Sequence, residues 1–178
     1  MRKRVKNEDH HLYQQHQKEG FASEKLFEKW LEEGFIDRDF YVSEEKNWKQ
    51  IDYISVKEKN KCRVYLELKG RNIDYDTFRT TMIGANKLKK ARDYMNNGAE
   101  VYFFFLFRGK CGKKKDLYFY DVKRSHKKLE KHCIIDIGGT NKRGCDEYKN
   151  HMYIPINFLS NVKEYKSMED YKKKTLKN

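Results

Sequence analysis

The chain has 178 residues, the size of one compact domain, and carries 40 Lys and Arg against 27 Asp and Glu, a net charge of +13. Charged residues make up 38% of the chain, a fraction common in disordered proteins, but aromatic residues reach 15% and proline occurs once, which favours a folded basic domain. No run approaches the ~20 apolar residues of a membrane span, and the basic residues 1–6 are not followed by the apolar core of a signal peptide. We therefore expect an intracellular protein, cytoplasmic, or nuclear or in a host cell if it is viral. The four cysteines are too few and too scattered to indicate a disulfide framework.

The N-terminal third predicts one helix followed by three strands. Residues 1–20 are polar and are expected to form an arm or a loose helix. Apolar residues recur at helical spacing over residues 23–33, and Gly34 supplies a stop. Strands are predicted over three segments, of which the last two form a hairpin: residues 35–42, 51–56 and 62–69.

The rest of the chain predicts a loop, a second helix and further strands. The helix covers residues 84–97, and the almost wholly apolar residues 100–107 are typical of a central strand buried on both faces. Further short strands are predicted at residues 117–122, 133–137 and 152–156. The pattern favours an α/β fold with a mixed sheet flanked by helices, in one domain over residues 21–160, with a charged tail over residues 161–178.

Two acids and a lysine are predicted to meet at the hairpin. Pairing can bring Asp52 beside Glu67, and Lys69, two residues further along the strand, lies on the same side as Glu67. Carboxylates bind hard divalent cations such as Mg²⁺ and leave coordination positions for water and phosphate. An ammonium can orient a water or stabilise negative charge that develops at phosphorus. Glu24 or Glu28 on the first helix could add a third carboxylate; the helical phase puts Glu24 at the edge of the buried face and Glu28 further toward water.

These residues carry a resemblance to a known family. Glu24 on a helix, then Ile51-Asp52, then Glu67-Leu-Lys69-Gly, then a helix and an apolar strand, resemble the PD-(D/E)xK nuclease superfamily, which has the restriction-endonuclease-like fold. The first helix is similar to the opening of archaeal Holliday-junction resolvases and of small nucleases of phages and large DNA viruses. Two departures are Ile51, where the motif's nominal proline would stand, and the absence of a clear Gln-x-x-x-Tyr signature in the second helix.

The resemblance implies an αβββαβ core over about residues 20–107. It implies that Asp52 and Glu67 hold Mg²⁺, or alternatively Mn²⁺, that Lys69 is the catalytic lysine and that Glu24 is an auxiliary acid. The activity implied is metal-dependent hydrolysis of phosphodiester bonds; DNA is favoured as the substrate and endonuclease action as the mode, while RNA and exonuclease action stay open as alternatives. The first alternative is a catalytically inactive module of the same fold that binds nucleic acid, and the second is an interaction subunit of a larger assembly. A homodimer is also compatible with the sequence.

A basic second half offers contacts for nucleic acid. Residues 108–149 contain thirteen Lys and Arg and six Asp and Glu, a net charge of +7. Such a segment can track phosphates, or it can simply keep a lysine-rich surface soluble. The candidate contacts, two on the second helix and five in this segment, are Lys87, Lys90, Lys113, Lys114, Lys115, Lys142 and Arg143.

Overall fold

A six-stranded mixed sheet forms the centre of the molecule, and a three-stranded sheet packs beside it. The computed structural model describes residues 7–42, 51–55, 62–109, 114–125, 135–139 and 148–175. The helices are α1 (Asn7–Glu32), α2 (Ala85–Asn96) and α3 (Met168–Thr175). The strands are β1 (Phe40–Val42), β2 (Tyr53–Ser55), β3 (Val64–Arg71), β4 (Thr80–Gly84), β5 (Glu100–Phe107), β6 (Asp116–Asp121), β7 (Ile135–Gly139), β8 (Tyr148–Pro155) and β9 (Ser160–Asn161).

The large sheet has the order β1-β2-β3-β5-β6-β9, and its centre is a parallel pair of strands. β3 runs parallel to β5 in a register that extends from Val64 opposite Glu100 to Arg71 opposite Phe107. The other neighbours in this sheet are antiparallel. Apart from β4, which belongs to the small sheet, the chain runs helix, three strands, helix, strand, and the expected mixed α/β sheet flanked by helices is confirmed.

The small sheet contains a strand that the sequence pattern missed. It has the order β4-β8-β7, with both pairs antiparallel. β4 lies where a loop was expected between β3 and α2. Its five residues alternate between exposed and buried positions, but the strand is too short for that alternation to stand out from a polar loop.

Two apolar layers cover the large sheet. On one face, α1 and α3 pack on Leu66 of β3 and Phe104 of β5. On the other face, α2 and the small sheet pack on Phe103 and Phe105. β5 is thus buried on both sides over nearly its whole length, as its apolar sequence predicts.

Helices extend beyond residues 20 and 160, the two ends of the predicted domain. Residues from Asn7 onward belong to α1, so a single helix replaces the boundary expected at residue 20. That helix ends where the sequence predicts, since Gly34 adopts φ +81° and its N–H bonds the carbonyl of Leu31. The expected tail also joins the core: Met168 and Tyr171 of α3 are buried, and Met168 N–H bonds the carbonyl of Phe35 at 2.8 Å. Met168 and Tyr171 are surrounded by charged residues in the sequence, and the sequence pattern therefore did not indicate that they are buried. None of the helices in these ranges has the length and apolar character needed to span a membrane.

Candidate active site

The hairpin of β2 and β3 places two acids opposite each other. Tyr53 pairs with Leu66 and Ile54 pairs with Tyr65. Continuing this antiparallel register by one residue puts Asp52, which directly precedes β2, opposite Glu67. A hydrogen bond supports this register, because the N–H of Leu68 donates to Asp52 Oδ2 at 2.8 Å.

Glu67 is a fully buried carboxylate held between two lysines. Its exposed fraction is 0%, and its Oε1 lies 2.6 Å from Lys69 Nζ, while Lys87 Nζ donates to Oε2 at 2.8 Å. The contact with Lys69 has ion-pair distance but not hydrogen-bond geometry, so Oε1 is a buried oxygen that makes no hydrogen bond among the described residues. A carboxylate oxygen in this condition retains a lone pair for a further ligand.

Asp52 is destabilised as an anion in this structure. Burial is the largest cause, repulsion from Glu67 is the second, and together they raise the pKa of Asp52 to about 6. The ammonium of Lys69 and the Leu68 N–H act in the opposite direction. Two neighbouring acids whose negative charges repel each other are typical of a site at which a cation or a proton lies between them.

The first helix approaches this site through Ser23 and Glu24. Ser23 is buried and packs against Gly70 at the end of β3, where an added Cβ would lie only 2.9 Å from Ser23 Oγ. Glu24 follows directly and feels the charge of Lys69; burial of its carboxyl, and then repulsion from Glu28, raise its pKa.

The relative exposure of the two helix acids is the reverse of the expected one. Glu24 is exposed as a whole residue, whereas Glu28 is partly buried and hydrogen-bonds the side chain of Tyr53. The apolar stripe of α1 therefore faces slightly toward Glu28, and it is the interaction with Lys69, not deeper burial, that links Glu24 to the site.

A cleft opens at the same edge of the sheet. It has a volume of about 340 Å³ and lies between residues 19–24 of α1 and the end of β3. Glu24 lines it from the helix, Leu68 and Gly70 line it from β3, and Arg108 lines it from the residue that follows β5. A space of this size admits small polar groups, and Leu68 and Gly70, which line it, are neighbours in the chain of Glu67 and Lys69.

The predicted nucleic-acid contacts have different places in the structure. Lys87 is only 9% exposed and pairs with Glu67 inside the site, so its ammonium does not lie on the protein surface. Lys90 is partly exposed, with its Nζ 5.4 Å from the centre of the Tyr94 ring. Lys114 and Lys115 are exposed, and Lys114 Nζ is 3.7 Å from Asp74. The remaining three lie outside the described residues: Lys113, Lys142 and Arg143.

The helical phase of α2 contains a signal that Lys87 is buried, although amino-acid composition alone does not reveal it. Lys87 stands four residues before Ala91 and next to Leu88, and both of these are buried on α2. A lysine at the buried phase of a helix needs an anion as partner, because an unpaired buried charge is costly. The acid that pairs with Lys87 is Glu67 on β3, so the pair forms only when the two elements pack together in the tertiary structure.

The donor set of this site suits a hard cation. Within the described ranges, no group of three or more His, Cys, Asp and Glu side chains is close enough to hold a metal ion. Two carboxylates remain, Asp52 and Glu67, and the second has a buried oxygen without a hydrogen bond. Mg²⁺ is commonly bound by one or two carboxylates, with water and substrate phosphate as its other ligands, so these two residues fit it.

Comparison with known proteins gives one distant likeness. The chain is similar to the structure of Hjc, a Holliday junction resolvase from the archaeal hyperthermophile Archaeoglobus fulgidus, with 11% sequence identity, a TM-score of 0.41, and coverage of 71% of this chain and 87% of that chain. No protein-family model matches the sequence, and no curated protein matches it at a significant level. At this level of likeness, the fold rests on this chain's own sheet order and the site on its own contacts.

Proposed function

We propose that the protein is a Mg²⁺-dependent nuclease that hydrolyses phosphodiester bonds, in DNA and within the strand. The observation that supports this most is the position of Glu67: fully buried, opposite Asp52, and between the ammonium groups of Lys69 and Lys87. A hairpin that only supports a fold has no need of two facing acids, because a buried carboxylate destabilises the fold unless it is paired. Removing one partner of a buried ion pair costs roughly 3 to 5 kcal/mol.

Asp52 and Glu67 would hold the cation, which supplies Lewis acidity at the phosphate and a bound water of lowered pKa. Lys87 holds Glu67 Oε2, which leaves Oε1 directed to the other side of the carboxylate. The cation therefore meets a carboxylate whose orientation is already fixed, a form of preorganisation.

Lys69 is the residue best placed to meet the substrate. Its side chain is 31% exposed, in contrast to the buried carboxylate that it contacts. With a cation held by Asp52 and Glu67, the ammonium of Lys69 would be available to stabilise the negative charge that develops on the phosphate oxygens. Glu24, whose charge interacts with that of Lys69, would orient the attacking water or restrain that ammonium.

Nucleic acid would lie across the sheet edge and the basic surface. Exposed Lys114 and Lys115 extend the positive charge from the end of β5, and residues 108–149 carry a net charge of +7. Contacts of this kind are independent of sequence and position the phosphate backbone. The alternative is a binding module without catalysis, which would use this surface and leave Asp52 and Glu67 unused.

Cleavage assays with single-stranded DNA, duplex DNA and four-way junctions in Mg²⁺ or Mn²⁺ test the proposal. Asp52→Asn and Glu67→Gln should abolish cleavage, because each removes a cation ligand at nearly constant volume. Lys69→Met should lower kcat with a smaller effect on the Mg²⁺ concentration needed for half-maximal rate. Glu169→Gln, on α3, is the matched control with the same change of charge and should cleave normally. Full activity in both acid variants would overturn the assignment, and nucleic-acid binding without cleavage in the unmodified protein would favour the binding module.

A further inference from the structure

Arg108 makes a set of contacts that joins three elements next to the proposed site. It follows β5, and its Nη1 donates to the carbonyl of Glu19 on α1 at 3.1 Å, while its Nη2 donates to Asn72 Oδ1 beyond β3. Asn72 Nδ2 in turn donates to Glu19 Oε2 at 2.6 Å, and Arg108 Nη2 lies 3.7 Å from that same oxygen. We call Arg108, Asn72 and Glu19 the clasp.

The clasp fixes the turn of α1 that carries Glu24. The carbonyl of Glu19, which accepts from Arg108, also accepts from Ser23 Oγ at 2.9 Å. Ser23 is the residue that packs on Gly70, and Glu24 comes next in the chain. The position of Glu24 relative to Lys69 is therefore set by one turn of helix whose polar contacts come from the ends of β3 and β5.

These contacts are not those of an ordinary surface ion pair. The Arg108 side chain is 14% exposed, and its Nε is buried without a hydrogen bond among the described residues. A buried N–H without a partner costs about 1 to 3 kcal/mol. Two of the guanidinium nitrogens are already bound within the chain, so the group is used for internal geometry and is poorly placed to bind a phosphate.

We propose that Arg108 is a positioning residue for Glu24: through the clasp it holds the turn of α1 from which the Glu24 carboxylate acts on Lys69, beside the cation site of Asp52 and Glu67. This inference rests on the proposed nuclease function, because it assigns Glu24 a part in that site. Arg108 itself touches neither the cation nor the substrate.

A double-mutant cycle on the full chain tests it. Mn²⁺ affinity is measured by calorimetry without substrate, and the cleavage rate is measured in parallel. Arg108→Gln and Glu24→Gln are each expected to weaken Mn²⁺ binding about tenfold, as loss of an outer-shell partner commonly does. Arg108→Gln added to Glu24→Gln should weaken it no further, because both changes remove the same contribution. Arg79→Gln, which removes the same charge at an exposed residue away from the clasp, should match the unmodified protein.

Asn72→Ala keeps the test usable if Arg108→Gln fails to fold, since Asn72 is exposed and its loss loosens the clasp from outside. It should move Mn²⁺ affinity in the same direction by a smaller factor, and Arg108→Lys should restore part of the loss in Arg108→Gln. Additive effects of the Arg108 and Glu24 changes, or an Mn²⁺ affinity that ignores the clasp variants, would overturn the positioning role while leaving the nuclease intact. An unmodified protein that neither binds Mn²⁺ nor cleaves DNA would overturn the proposed function, and the positioning role with it.

Discussion

Asp52 and Glu67 face each other, but their surroundings compensate their charges unequally. Glu67 has two ammonium groups within 2.8 Å or less, whereas Asp52 has one backbone N–H as its hydrogen-bond donor. Burial, and then repulsion from Glu67, raise the pKa of Asp52 from an ordinary 3.8 to about 6. Because a raised carboxyl pKa means that the folded chain binds a proton more tightly than the unfolded chain, this residue makes stability depend on pH.

In the presence of EDTA, stability should fall as the pH rises from about 4 to about 6. Over that interval the folded chain keeps a proton on Asp52 that the unfolded chain has lost, so ionisation costs roughly 3 kcal/mol once the pH exceeds both values. Asp52→Asn should remove this cost and raise Tm by about 6 to 12 °C at pH 8, with little change at pH 4. Thermal melts at the two pH values measure the difference. A Tm change that is the same at both would show that Asp52 ionises normally.

Glu24 and Glu28 differ in the groups that they contact, so their substitutions should have different effects. Glu24 interacts with Lys69, whereas Glu28 hydrogen-bonds Tyr53 beneath the helix. Glu24→Gln is expected to reduce Mg²⁺-dependent cleavage about tenfold or more at unchanged Tm, and Glu28→Gln to lower Tm with cleavage near normal. Cleavage assays and melts on both variants distinguish the two roles, and the reverse order would mean that Glu28 serves the site.

At the scale of whole elements, α1 and β3 approach each other closely where Ser23 packs on Gly70. A Cβ on Gly70 would meet Ser23 Oγ at 2.9 Å and Ser23 Cβ at 3.5 Å, so only the hydroxyl stands in the way. The helix can approach the end of β3 because this strand has no side chain at residue 70.

Gly70→Ala should therefore destabilise the fold by about 1 to 3 kcal/mol, the usual range for overpacking a tight contact. The same change in a Ser23→Ala background should cost clearly less, since the remaining 3.5 Å contact is an ordinary one. Gly20→Ala is the matched control: it lies in α1 with nothing within 4 Å of an added Cβ and should stabilise the helix by about 0.5 to 1 kcal/mol. Denaturant unfolding gives all four values, and equal costs of Gly70→Ala in both backgrounds would place the helix further from β3.

How far the site could be predicted depends on the separation of its parts along the chain. Asp52, Glu67 and Lys69 belong to one hairpin, so alternation and strand pairing were enough to bring them together. The partner of Lys87 and the contacts of Arg108 depend on how α2 and the end of β5 pack, and Arg108 reaches a carbonyl 89 residues away. Local periodicity carries no information about such contacts, and it also missed the short strand β4.

For the molecule as a whole, the net charge of +13 predicts salt-sensitive binding to nucleic acid. The logarithm of the affinity should fall linearly with the logarithm of the salt concentration. Replacing Lys113, Lys114 and Lys115 with Gln should reduce the slope by up to about 3, since each phosphate contact contributes about 0.9. The matched control replaces three lysines near α3, Lys166, Lys173 and Lys174, and should leave the slope nearly unchanged. Equal slopes for all three proteins would mean that the segment before β6 is only a solubilising surface.

The contact between Phe35 and Met168 determines when, during synthesis, this protein can finish folding. Residues of α1 are made early, but the layer beneath them closes only with Met168 and Tyr171, which are made late. Until then the nascent chain must carry an open apolar face, and such long-range closure is slow. The proposed nuclease activity should accordingly appear only after residue 171 has left the ribosome. A chain that ends at residue 160 is expected to bind a hydrophobic dye and to melt without a cooperative transition, and a sharp melt would show that the early residues close the layer by themselves.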